Sequence, residues 1–126
     1  MLRQLRQRAS EALSNAPQIV LSAYGPAEIQ AETLPCEAVD LVLYVLVART
    51  SDLLFNLESN ALVVATANTW QVRGVARLLR PGEYPGRLAL ARTPEAAWCQ
   101  VVEIRPTRLQ LRPPHGQGQG ETIDLW

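Results

Sequence analysis

The triplet Arg49-Thr50-Ser51 places one guanidinium and two hydroxyls just ahead of Asp52 and the apolar run Leu53-Leu54-Phe55. These residue types can hold an anion at a helix N-terminus, where backbone N–H groups and the helix dipole favour negative charge. The same residues also read as a helix cap with a surface arginine, because Thr and Ser are favoured N-caps. Arg73 stands directly before Gly74 in a stretch that alternates along its length. It reads either as a ligand-facing cation in mid-sheet or as a solvent-facing residue of that strand. Trp70, at the start of the same stretch, offers either a face for stacking on a ring or an aromatic for the core or an interface. His115 is the sole histidine and sits in a Pro/Gly-rich tail. With no metal-ligand spacing around it, it reads as a solvated residue. No Ser/His/Asp or Cys/His arrangement and no close carboxylate pair emerges, so no catalytic residue is identified.

The charge inventory narrows the chemistry further. The 126 residues include twelve basic and twelve acidic side chains, and every basic one is arginine. That excludes Schiff-base chemistry, a covalent pyridoxal phosphate and a P-loop lysine. Zero net charge argues against a duplex nucleic-acid binder, which draws its affinity from phosphate neutralisation. Three Trp, three Tyr and one Phe also leave few aromatics for a single-strand groove. Cys36 and Cys99 form no CxxC and read as buried free thiols. The segment MLRQLRQRASEALSNA has arginines throughout and no apolar h-region, so it does not read as a signal peptide. The longest strongly apolar run, Leu41 to Ala48, is too short to cross a bilayer. A soluble cytoplasmic protein with no membrane or nucleic-acid partner is expected, folded as one domain over 1–126.

The elements that must position these residues follow from periodicity. Leu2, Leu5, Ala9, Ala12, Leu13 and Ala16 predict an amphipathic helix over 1–16, ended by Asn15 and Pro17. Residues 18–24 read as a strand, Gly25-Pro26 as a turn, and AEIQAET as a half-exposed strand. In the latter, Ala27, Ile29 and Ala31 lie on one side, and Glu28, Gln30 and Glu32 on the other. Pro35 to Ala38 is expected to be a short connection. Residues 39–48 read as a strand apolar on both faces after Asp40. Residues 50–60 read as a short helix, with Leu53, Leu54 and Leu57 facing the core. Strands are expected at 61–67 and 70–79, with Gly74 marking a bulge or a close approach by another backbone or ligand. Residues 80–87 form a loop. Thr93-Pro94-Glu95 starts a brief helix ending near Trp98. Strands follow at 99–105 and 107–112, with Pro106 at a bend or edge, and 113–126 is a flexible tail. Seven short strands with tight connections imply a small antiparallel barrel, mainly β with short helices. A strand apolar on both faces exceeds what one small barrel interior can cover, so a homodimer is expected.

Three segments in order carry a resemblance. AEIQAETLPCEAVDLVLYVLVA, RTSDLLFNLESNALVVATA with its serine-led helix and Asn-Leu pair, and WQVRGVARLL with its Arg-Gly together resemble the split-barrel family of pyridoxamine 5'-phosphate oxidase-like proteins. VVEIRPTRLQL resembles the closing strands, and the likeness covers roughly 17–112. It implies an FMN-binding split barrel and a homodimer. Flavin would lie in a groove between subunits, its phosphate held by cations and hydroxyls, and the activity would be that of a flavin-dependent oxidoreductase of unstated substrate. The candidate FMN contacts are then Arg49, Thr50, Ser51, Arg73 and Trp70. Leu53 and Phe55 stand where the family helix carries phosphate-binding cations, and Gln30 stands where the hairpin carries an arginine. Each missing charge-assisted bond weakens phosphate binding by about 1.5–3 kcal/mol. Glu28 and Glu32, sharing a face with Gln30, would repel a phosphate there. The sequence therefore also supports a dimeric split-barrel binding or structural module that has lost tight FMN binding, or one that takes a larger ligand such as a tetrapyrrole or a deazaflavin.

Overall fold

Period-two alternation builds most of this chain, whose computed structural model describes residues 2–112 and 120–125. Helix α1 (Leu2–Ser14) leads into β1 (Gln18–Gly25), β2 (Glu28–Val39) and β3 (Val42–Ala48). Helix α2 (Asp52–Ser59) then precedes β4 (Leu62–Thr66), β5 (Trp70–Leu78), β6 (Cys99–Leu111) and β7 (Glu121–Asp124). The strands form one antiparallel sheet in the order β3-β2-β1-β4-β5-β6-β7, and β3 also pairs with β6. That pairing, from Leu43 opposite Ile104 to Ala48 opposite Cys99, closes β1–β6 into a barrel. The fold is a split β-barrel with a helix at its N-terminus and a second between β3 and β4.

Two short loops join the first three strands. Pro26 and Ala27 link β1 to β2, and Asp40 and Leu41 link β2 to β3. Glu28 (φ 65°) and Asp40 (φ 58°) take positive φ beside or within these loops, which tight hairpins demand. Three sequence boundaries move accordingly. Pro35 to Ala38 is not a connection but part of a twelve-residue β2. The run 39–48 is divided by the turn at Asp40-Leu41. The two strands expected on either side of Pro106 are one strand, β6. Proline is tolerated there because one edge of β6 passes from β3 to β7, leaving residues 105–107 outside both ladders. On the other edge, β5 and β6 shift register between Arg73 and Gly74. A Cβ on Gly74 would lie 2.9 Å from the Arg105 carbonyl oxygen and 2.9 Å from Ile104 Cγ2. The glycine thus marks a close approach by another backbone. Within the expected tail, residues 121–124 pair with β6 as an edge strand. His115 lies outside the described residues.

Inward-facing residues of β1 to β6, among them Leu21, Val45, Val63, Val72 and Ile104, fill the barrel. Ala9 and Leu13 of α1 close one side of that core. Trp70 is fully buried, and its indole N–H donates to the Ala12 carbonyl at 2.9 Å. It joins helix to barrel and faces the core, so it presents no ring to a ligand. The outer face of β3 is also covered, by the chain itself. Tyr44 and Leu46 pack with Leu79, Leu88, Leu90 and Val101 in a second cluster. The Glu37 carboxylate fixes this cover by accepting from the Leu90 N–H at 2.8 Å and the Ala89 N–H at 3.3 Å. The two apolar faces of 42–48 therefore need no second subunit, which removes the sequence argument for a dimer from that strand.

Candidate functional site

Helix α2 starts at a side-chain cap. Ser51 Oγ accepts from the Leu53 N–H at 3.0 Å, and Ser51 is extended, as an N-cap should be. The same hydroxyl donates to Glu32 Oε2. Glu32 reaches the helix because β2 carries Gln30, Glu32, Leu34 and Cys36 on its inner side. The alternation of this strand holds, but its apolar side is the outer one, with Ile29 74% exposed. Arg49 is turned away from the helix. Its Nη1 donates to the Ala97 carbonyl at 3.2 Å, and its charge partly offsets the upward push of burial on the Cys99 thiol. Thr50 is exposed. The Gln30 amide donates to the Ala27 carbonyl at 2.8 Å.

These residues do not fit a flavin phosphate. The Ser51 hydroxyl has one proton and gives it to Glu32. Asp52 adds a second carboxylate in the first helical turn. Leu53 is fully buried, so the position cannot present a cation without opening the core, while Phe55 is exposed and apolar. Like charges at one helix end oppose a further anion.

Asn56 does the positioning here. It is fully buried in α2. Its Nδ2 donates to the carbonyls of Ala23 at 3.2 Å and Glu28 at 2.7 Å, and its Oδ1 accepts from the Ala27 N–H at 2.9 Å. One amide thereby bonds three backbone groups around the β1–β2 turn, among them the N–H of the turn residue Ala27. Gly25 makes room for it, since a Cβ there would meet Asn56 Cα at 2.9 Å. One step along, Asn60 Nδ2 donates to the Tyr24 carbonyl at 3.1 Å. Sequence reasoning noted the Asn-Leu pair only as part of a resemblance. The available signal was a polar amide inside an otherwise apolar helix face.

The clamped hairpin forms one wall of a groove of about 520 Å³ on the outside of the barrel. Tyr24, Ile29, Leu62, Val64 and Val75 line it, and Arg73 and Thr107 supply polar groups. The Thr107 hydroxyl donates to the Arg73 carbonyl at 3.2 Å, across the register shift. Arg73 is exposed and lines this groove, whereas Arg49, Thr50 and Ser51 do not. The structure thus separates Arg73 from the triplet with which the sequence grouped it. Sequence reasoning missed the groove's apolar residues because alternation identifies two sides of a strand without saying which is inside.

Cys36 lies in the barrel core, where burial pushes its thiol up to about 12, with Glu37 adding to the effect. Burial, and then the charge of Glu103, also raise the Tyr44 phenol. Among the described residues, no helix is long and apolar enough to cross a membrane.

No protein-family model matches the sequence, and no curated protein matches it. Solved structures do resemble it in fold. General stress protein 26 from Bacillus anthracis is 18% identical, with a TM-score of 0.71 over 97% of this chain and 99% of that one. A Clostridium acetobutylicum protein of the pyridoxinephosphate oxidase family is 8% identical, with a TM-score of 0.67 over 97% of this chain and 95% of its own. An FAD-binding protein from Mesorhizobium loti is 12% identical, with a TM-score of 0.65 over 82% and 90%. The architecture built above, six strands closed through β3 and β6, is thus the split β-barrel fold seen in the pyridoxinephosphate oxidase family.

Proposed function

We propose that this chain is a homodimeric split-barrel binding module. Its outer groove takes a flat, mostly apolar conjugated ring of the flavin class, which two copies enclose between them. One observation carries the reading. Of the seven exposed large hydrophobic residues among the described ones, Tyr24, Ile29, Leu62 and Val75 lie together on one outer face of β1, β2, β4 and β5 and line the groove. A contiguous exposed patch of this kind marks a binding or interaction surface. A planar ring suits it because Ile29, Tyr24, Leu62 and Val75 form one row across the outer face of four paired strands. Arg73 and Thr107 would receive the ring's polar edge. Flavin binding by the Mesorhizobium loti protein of the same fold supports that ligand class.

Sedimentation and flavin-fluorescence titration test the reading together. The expected results are a dimer, and quenching of riboflavin that saturates in the micromolar range. Leu62→Asp should convert the dimer to a monomer and abolish quenching while leaving the circular-dichroism spectrum unchanged, because Leu62 is two-thirds exposed in the single chain. A monomeric wild-type protein, or quenching that survives in the monomeric variant, would refute it.

A further inference from the structure

We infer that Arg73 and Arg108 form a carboxylate subsite at the end of the outer groove, so that the preferred ligand is a flat conjugated ring carrying one carboxylate. The inference rests on the proposed function for the ring, and on strands β5, β6 and β7 for the subsite.

Strand register sets three charges in a row. Arg73 on β5 pairs with Arg108 on β6, and Arg108 pairs with Asp124 on β7. All three are exposed. A cavity of about 430 Å³ lies among them, lined by Arg73, Thr107, Arg108 and Asp124. It adjoins the groove, because Arg73 and Thr107 line both. Like charges directly opposite on neighbouring strands destabilise a sheet, so the arginine pair calls for an anion. Asp124 answers for Arg108 alone, accepting from its Nε at 3.0 Å and leaving the two terminal nitrogens outside that bond. The Arg73 guanidinium bonds no other described residue. The Thr107 hydroxyl gives its proton to the Arg73 carbonyl, so the open donors are those of the two guanidiniums. Charge then selects among anions. Two arginines and one aspartate leave this cavity one positive charge in excess, which a single carboxylate balances. A phosphate monoester, at about −1.5 to −2 near pH 7, would overshoot that balance and face Asp124. Guanidinium and carboxylate also match as planar forks.

The full chain is titrated with two pairs of flavins: lumiflavin and carboxymethylflavin, which adds one carboxylate to the same ring, and riboflavin and FMN, which differ by a phosphate. Exposed ion pairs are individually weak, so a modest factor is expected. Wild type should bind carboxymethylflavin at least threefold more tightly than lumiflavin, and FMN more tightly than riboflavin by a smaller factor. The carboxylate gain should shrink between about 50 and 500 mM salt, while lumiflavin affinity holds. Arg108→Gln should remove the gain. Asp124→Asn, at a largely exposed position, should lift the phosphate gain above the carboxylate gain, because the cavity then holds two uncompensated arginines. A purely structural Asp124 would not reverse that order. A smaller carboxylate gain in wild type, a gain that survives in folded Arg108→Gln, or an unchanged order in Asp124→Asn overturns the inference and leaves the groove standing. If none of the four flavins binds, the groove reading fails and the inference falls with it.

Discussion

Replacing Asn56 by Ala removes three hydrogen bonds at once, to the carbonyls of Ala23 and Glu28 and from the Ala27 N–H. Each bond is worth about 1 kcal/mol net, and an orphaned buried partner costs more. Asn56 is fully buried, so water cannot readily take its place, and the loss should be about 3 kcal/mol. For a domain of this size that corresponds to a fall in melting temperature of roughly 10–15 °C. Asn56→Asp gives the internal control. It keeps the acceptor for Ala27 and loses both donors, and it puts a charge where there is no solvent, so it should cost more than Ala at pH 7. Urea titration monitored by circular dichroism gives both free energies. The damage should also be local in its consequences: β1 and β2 carry Tyr24 and Ile29 into the groove, so a folded Asn56→Ala protein should lose flavin quenching before it loses sheet signal. The order of effects matters as much as their size. A loss below about 1 kcal/mol, or Asp milder than Ala, would refute the idea that this amide clamps the hairpin.

Gly74→Ala should cost about 1–3 kcal/mol by overpacking, since the new methyl meets a backbone oxygen and Ile104 at 2.9 Å; a neutral effect in urea titration would show that β5 and β6 can separate at the register shift without penalty. Leu90→Ala should destabilise by about 2–4 kcal/mol and open the cover on the outer face of β3, because Leu90 is a buried member of the cluster that holds Tyr44 and Leu46. Dye binding that stays at the wild-type level would argue against that cover. The Cys36 thiol is raised from its ordinary 9.0 to about 12, so above pH 9 the unfolded chain ionises there and the folded chain does not. Stability is whole below pH 9 and falls as pH climbs toward 12, by up to about 1.4 kcal/mol per pH unit. Cys36→Ala should show a shallower slope between pH 9 and 11, and parallel curves would assign the alkaline loss to other groups.

Legibility from sequence followed the physics of each signal. Strands and turns were readable wherever alternation met a punctuating residue, as at Gly25-Pro26 or the Ser51 cap, because both are local. Pro35 and Pro106 misled because proline signals a break only when its missing N–H would have been needed. Here both sit within long strands, and Pro106 lies between two ladders. The sidedness of β2 was not readable at all. Apolar Ile29 and Ala31 face out and Gln30 and Glu32 face in, since α2 supplies a capping hydroxyl for Glu32 on the inside. That contact joins residues 19 apart in sequence. The cover over β3 was hidden for the same reason, being built from a 3-10-rich segment with no periodic signature. Alternation left Arg73 either ligand-facing or solvent-facing; the structure places it exposed on the rim of the apolar groove, apart from the Arg49 triplet.

The Ser51–Glu32 contact and the missing cations are two sides of one arrangement. A helix N-terminus leaves donors that must be satisfied. A cofactor phosphate can do this, but then the apoprotein carries an unsatisfied helix end and gains stability on binding. Here the chain supplies the acceptor itself: the Leu53 N–H goes to the Ser51 hydroxyl, whose own proton goes to Glu32. The α2 start, the Asn56 clamp that depends on α2, and the hairpin bearing Tyr24 and Ile29 are therefore assembled before any ligand arrives. Such a barrel needs no lysine to compensate a bound phosphate, which agrees with its basic residues being all arginine. Three of these arginines are committed to ion pairs within the chain: Arg8 with Glu121, Arg77 with Glu83 and Glu103, and Arg108 with Asp124. On the proposed reading, affinity for the ring then rests on the groove's apolar walls. It should respond weakly to salt, because little of it is charge, and strongly to any polar substitution at Ile29 or Val75. An affinity that falls tenfold between 50 and about 500 mM salt would place a charged contact back at the centre of recognition.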